Sequence, residues 1–164
     1  MKAPLNGQNH GKTNGQNNRS IMFGFNKRKS PDEVSKFILE RIYGALAHPR
    51  QHNNGVLPDS IIESKYVIGF HIALITNLNI VFNGGRHNKH PEDLGFVYLK
   101  VLSEVFGLNS TEVTQRVWTH TENPSQEFNK GYDDGEEAFL KINNDDDASN
   151  AFIKFMTNIQ HLYQ

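Results

Sequence analysis

No cysteine occurs in the 164 residues of this chain. That absence removes disulfide frameworks, thiolate zinc sites, iron–sulfur clusters and cysteine nucleophiles together, since each needs a sulfur, and it fits a reducing compartment. Also missing are a Gly-x-Ser-x-Gly nucleophile elbow, a glycine-rich phosphate loop and any Glu-x-x-His, the pattern that builds helix-borne di-iron sites. No apolar stretch of about 7–15 residues follows the first basic residue, as a secretory signal would require, so a cytoplasmic location is the default. Strand signals are nearly absent as well: only Tyr66, Ile68, Phe70, Ile72 and Leu74 alternate. What remains is the composition of one soluble domain, 37% hydrophobic and 21% charged. At this length roughly 70% of the unfolded surface can be buried, so neither metal nor cross-link is needed for a core.

The net charge of −1 conceals an asymmetry. Residues 1–30 contain Lys2, Lys12, Arg19, Lys27, Arg28 and Lys29 and no acid, so the first 30 residues carry +6 and the remainder −7. Residues 6–18 offer no apolar side chain to bury, so the entropy of ordering them is not repaid and they are expected to be disordered. Next, Ile21, Met22, Phe23 and Phe25 precede Lys27, Arg28 and Lys29, a pattern that can meet an anionic membrane interface. Three cations behind one short apolar cluster make a marginal anchor, and the cluster is expected to fold back on the domain instead.

From Ser30 onward helix starts recur, each followed by apolar residues at helical spacing. Ser30-Pro31-Asp32-Glu33 supplies a hydroxyl cap, a first-position proline and a returning glutamate. The face that follows runs to Leu46, with Pro49 as the stop. Ser60-Ile61-Ile62-Glu63 opens a longer element ending at Asn83-Gly84-Gly85. Its middle alternates like a strand, but its other face is apolar too and no second strand exists to pair with it, so a central buried helix is predicted. His71, Thr76, Asn77 and Asn79 interrupt it too often for a membrane span. His90-Pro91-Glu92-Asp93 starts a third helix, which Gly107 ends, and Asn109-Ser110-Thr111-Glu112 caps a fourth. Asn123-Pro124-Ser125-Gln126 opens a fifth, whose Phe128, Tyr132, Gly135, Phe139 and Ile142 form a heptad seam. Gly131 and Gly135 lie one turn apart there, each costing about 1 kcal/mol relative to alanine, which close approach of another helix would offset. Glu127, Asp133, Asp134, Glu136 and Glu137 read as a solvated face. Asn143 to Asp147 form a turn and cap for a last helix bearing Phe152, Phe155, Met156, Ile159 and Leu162.

Candidate chemistry is sparse. His87/His90 and His48/His52 are the only close histidine pairs; both are predicted in loops, and Pro49 should keep the second from one helical face. The aspartate tract fails as an EF-hand, because Asn150 and Met156 stand where glycine and glutamate are needed. His71 is expected to be a neutral, hydrogen-bonded core residue.

Leu102 to Val117 resembles a helix-turn-helix, with phrasing similar to the DNA-binding domains of bacterial response regulators. The resemblance implies DNA contact through Thr111, Thr114, Gln115 and Arg116, with Lys27, Arg28 and Lys29 gripping phosphates. Glu112 and Glu122 against Arg116 alone give the second helix the wrong charge for a duplex. A small anionic or phosphorylated ligand is a further alternative, near Arg86, His87, Lys89 and His90 beside a helix start.

The sequence therefore predicts an all-α single domain, a bundle of five to six helices around a central apolar helix over residues 30–164, behind a disordered basic tail, 1–29. The function it favours is a non-enzymatic protein-interaction module with no cofactor and no metal. Its partner is another protein or a second copy, and Gly131, Tyr132, Gly135 and Phe139 are the packing face.

Overall fold

The computed structural model describes residues 29–85, 91–144 and 150–164. The chain runs through α1 (Pro31–Ile42), a 3-10 turn (Tyr43–Leu46), α2 (Ala47–His52), α3 (Asp59–Ile62), α4 (Lys65–Phe82) and α5 (Pro91–Phe106). It continues through α6 (Ser110–Glu112), a π-helical turn (Val113–Trp118), α7 (Thr119–Glu122), α8 (Gln126–Ile142) and α9 (Ile153–Ile159), closing on a 3-10 turn (Gln160–Leu162). Among the described residues there is no strand, and the fold is an all-α bundle around α4.

Two capping boxes form where the sequence places them. Ser30 N–H donates to Glu33 Oε2 at 2.8 Å while Glu33 N–H donates to Ser30 Oγ at 3.2 Å. Asn109 and Glu112 repeat the exchange at 2.9 and 3.0 Å. The Ser60 box does not form. Pro58 starts the short α3, the chain bends at Glu63 and Ser64, and it is the Ser64 hydroxyl that caps α4 by accepting from Val67 N–H at 3.3 Å. Ser60 Oγ donates to the Leu162 carbonyl at 2.5 Å, fastening the C-terminal turn. The first helix also differs from expectation. It ends at Ile42, and Pro49 lies inside α2, in its first turn, where a backbone N–H has no helical partner to lose. His48 and His52 consequently stand one turn apart on a helix, with ring centres 4.5 Å apart, rather than in a loop.

Helix α4 resolves the strand-or-helix ambiguity for a simple reason. Every residue from Tyr66 to Ile75 is buried, so both alternating sets face protein. It is the one described helix with the length and apolar character to cross a bilayer, and 67% of that stretch is buried inside the fold. Its principal neighbour is α8. A Cβ placed on Gly131 would lie 2.0 Å from the Tyr66 carbonyl oxygen, one on Gly135 2.5 Å from that of Phe70, and one on Gly69 2.2 Å from that of Phe128. The two backbones are therefore in contact, closer than any side chain permits. Because Tyr66 meets Gly131 and Phe70 meets Gly135, both pairings advance in the same direction, and the two helices are parallel. A parallel pair needs a long crossover, and α5, α6 and α7 supply it, covering α4 on the way.

Gly131→Ala is expected to lose about 3 kcal/mol or more of stability in urea denaturation, because the methyl group would displace the α4 backbone. Gly95→Ala is the control: nothing lies within 4 Å of its Cβ position, and an alanine inside α5 should add about 0.5–1 kcal/mol. Equal midpoints for Gly131→Ala and wild type would show that the backbones do not touch.

Candidate functional site

Parallel packing brings the first turns of α4 and α8 to the same end of the bundle, and Ser64 and Glu127 meet there. Glu127, in the first turn of α8, reaches across to α4, accepting from Tyr66 N–H at 3.4 Å and from Ser64 Oγ at 3.5 Å. One carboxylate thus faces the positive ends of two helix dipoles. Ser64, Tyr66, Glu127, Lys130, Asn158, His161 and Leu162 line a cleft of about 270 Å³ at this junction.

Beneath it lies Asp134, 7% exposed. The solvated face expected of the α8 acids holds for Glu127, Asp133, Glu136 and Glu137, which are exposed, but not for Asp134. Position 134 lies three residues after Gly131 and four before Ala138, on the side that meets the rest of the fold. Asp134 Oδ2 accepts from the Tyr66 hydroxyl at 2.8 Å and from Asn158 Nδ2 at 3.2 Å, and Lys154 Nζ sits 2.6 Å from Oδ1. Asn158 also donates to the Tyr66 oxygen at 2.8 Å. Burial pushes the Tyr66 phenol well above its usual pKa. Hydrogen bonds to Asp134 and Glu137 raise the Lys154 ammonium, and the Lys154 and Lys141 ammoniums hold the Glu137 carboxyl below the usual range. The Tyr66 oxygen both donates and accepts, and the Asp134 carboxylate is bonded at both oxygens. This constellation fastens α9 to α4 and α8.

His71 takes the role its position suggests. It is fully buried among Phe70, Phe106 and Phe155, and its Nδ1–H donates to the Val67 carbonyl at 2.8 Å. Desolvation, reinforced by the nearby Arg50 charge, depresses its pKa to about 4. Arg50 itself caps the end of α5, donating to the Val105 carbonyl.

The other sequence candidates are scattered. Thr111, Thr114 and Gln115 are exposed, but Thr114 Oγ donates back to the Ser110 carbonyl at 2.9 Å, and Arg116 is held by Asp59 at 2.7 Å and Glu63 at 3.1 Å. The segment meant for a recognition helix includes the π-helical turn, with Val113 and Val117 buried in the core. Lys29 lies over the Phe82 ring at 5.8 Å, on the far end of α4. Gly131 and Gly135 face α4, with Tyr132 and Phe139 packed partly against the core, so a second copy cannot use the glycine notch without displacing α4. Arg86, His87, Lys89 and His90, the cluster Ile21, Met22, Phe23 and Phe25, and Lys27 and Arg28 with the rest of the basic tail lie outside the described residues. Among the described residues no group of three or more His, Asp or Glu is placed to hold a metal. Compared with family models, curated proteins and solved structures, the chain matches none.

Asp134→Ala should cost about 2–3 kcal/mol, since it removes two hydrogen bonds to a buried carboxylate. Lys154→Ala should cost under about 1 kcal/mol, because that ammonium is half exposed. Similar losses for both variants would place the anchor in the ion pair rather than the buried network. For His71, the unfolded chain gains a proton below pH 6.5, whereas the folded chain gains it only near pH 4. The stability that neutral His71 represents is whole above pH 6.5 and falls by about 3 kcal/mol as pH drops toward 4. Denaturation series at pH 7 and 4.5 on wild type and His71→Gln check this, with a flatter dependence expected of the variant.

Proposed function

We propose that the protein is a non-enzymatic helical module of the cytosol that works by protein contact, and that its partner is a second copy of itself, met through the outer face of α8 and α9. The observation that carries this reading is exposure. Leu140 is 65% exposed and Ile153 59%, and they flank the ion pair of Glu137 Oε2 and Lys154 Nζ, 2.7 Å long. Leu140 follows Glu137 by three residues on α8, and Ile153 directly precedes Lys154 on α9. An apolar pair inside a rim of Glu136, Glu137, Lys141 and Lys154 has the layout of an interface, apolar at the centre and charged at the edge. A rim carrying both signs is also self-complementary, as a two-fold contact requires, since each residue meets its counterpart's neighbour. The covering of the glycine face by α4 moves the expected self-contact to this outer surface. The nucleic-acid alternative has weaker support, because its central cation, Arg116, is engaged by two carboxylates.

Light scattering across a concentration series tests the proposal. The wild type should pass from monomer to dimer, and Leu140→Lys or Ile153→Lys should weaken association at least tenfold, equivalent to about 1.4 kcal/mol, with the thermal midpoint of the monomer unchanged. A strict monomer at every concentration, or a dimer indifferent to both substitutions, overturns it.

A further inference from the structure

We propose that His48 and His52 form a binding site for one divalent transition-metal ion of the zinc, nickel or copper class, with Tyr163 as its positioning residue. Three observations converge on it, none of them shared with the α8–α9 face. The two imidazoles are separated by one turn of α2, the spacing at which a helix presents two histidines to one ion. Their ring centres are 4.5 Å apart with planes at 51°. With metal–nitrogen bonds of about 2.0–2.1 Å, two imidazoles meeting near a right angle at one ion stand about 4.5–5 Å apart, centre to centre. The separation of the rings is therefore one that a shared metal ion can span. Finally, His48 Nδ1 is 3.1 Å from the Tyr163 hydroxyl, and the Tyr163 ring centre lies 5.6 Å from His48 and 5.7 Å from His52. A hydrogen bond at one ring nitrogen fixes the ring's orientation and directs the other nitrogen, Nε2, to a ligand, the usual outer-shell arrangement of a metal-binding histidine.

Two protein nitrogens leave the remaining coordination positions to water, so the site is a labile one that loads and unloads with the metal supply. The all-nitrogen donor set selects borderline metals over magnesium and calcium, which take oxygen ligands. His52 is exposed and His48 half-buried, so the ion can enter from solvent. Loading would reach the end of the chain, because Tyr163 directly follows the 3-10 turn whose Leu162 carbonyl is held by Ser60.

The test uses the full chain without a histidine tag, titrated with zinc or nickel chloride and followed by calorimetry and by the histidine ring resonances. The expected result is one saturable site per chain, shifts confined to His48 and His52, at least tenfold weakening in His48→Ala and in His52→Ala, and none in His120→Ala. Magnesium chloride should give no binding. Tyr163→Phe should weaken binding about tenfold, and an unchanged affinity there would overturn the positioning role. Absence of saturable binding at millimolar metal, or binding that survives the double substitution of His48 and His52, overturns the site itself.

Discussion

Everything in this fold depends on three missing Cβ atoms. Gly69, Gly131 and Gly135 let the α4 and α8 backbones meet where an alanine methyl would come within about 2.0–2.5 Å of a carbonyl oxygen. At such contact the α-hydrogens of glycine point at carbonyls of the facing helix, adding weak attraction to dense packing. The helix-forming penalty of two glycines in α8 is thereby offset across the interface rather than within the helix. Direction follows from the pairing. Parallel helices cannot be joined by a tight turn, so the intervening chain must travel the length of the bundle. In doing so it wraps α4, which explains how an 18-residue helix can be buried on every side from Tyr66 to Ile75 in a chain this small.

Parallelism also fixes the electrostatics. Side-by-side parallel dipoles repel, and two positive ends at one end of a bundle need a negative group. Glu127 fills that need from the first turn of α8 while touching the first turn of α4. Asp134, two turns further along, does the corresponding work inside, where desolvation would make a lone carboxylate expensive. Its partners come from two other helices, Tyr66 on α4 and Asn158 and Lys154 on α9, so the burial of one charge specifies how a short helix docks. Phe155 and Ile159 supply the apolar contact of the seven-residue α9, and the directional bonds to Asp134 set its register.

Sequence patterns revealed the parts governed by local rules. Ser30-Pro31-Asp32-Glu33, Asn109 with Glu112, and the Gly107 stop are decided within one turn of chain, and they form as read. The glycine pair at 131 and 135 signalled a close helix neighbour, but nothing in the local pattern named α4 as that neighbour, because the pairing spans about sixty residues and depends on the whole crossover. The structure departs from the local pattern where one signal has two outcomes. Ser60 and Ser64 are both followed by residues that suit a cap, and the choice of Ser64 rests on Pro58 and on the distant Leu162 carbonyl. Pro49 can end a helix or occupy its first turn, and a 3-10 turn ahead of it selected the second. The network at Asp134 was hidden because the four other acids of α8 are solvated as a charge run should be; only its register with Gly131 and Ala138 marked it as inward.

The burial of α4 on all sides also determines where function can reside. Of its buried titratable groups, His71 is lowered to a pKa of about 4 by desolvation and the Tyr66 phenol is raised by burial, so both are held neutral at pH 7. At the periphery α9 has a special standing. Its first turn carries Ile153 and Lys154 at the exposed apolar face, and the turn that continues it leads to Tyr163 against His48 and His52. Between them, Asn158 ties the helix to Asp134. Two anchors thus hold this end of the chain, Asn158 on the buried Asp134 carboxylate and the Ser60 hydroxyl on the Leu162 carbonyl, and the second is needed because a 3-10 turn cannot extend the grip of α9 by itself.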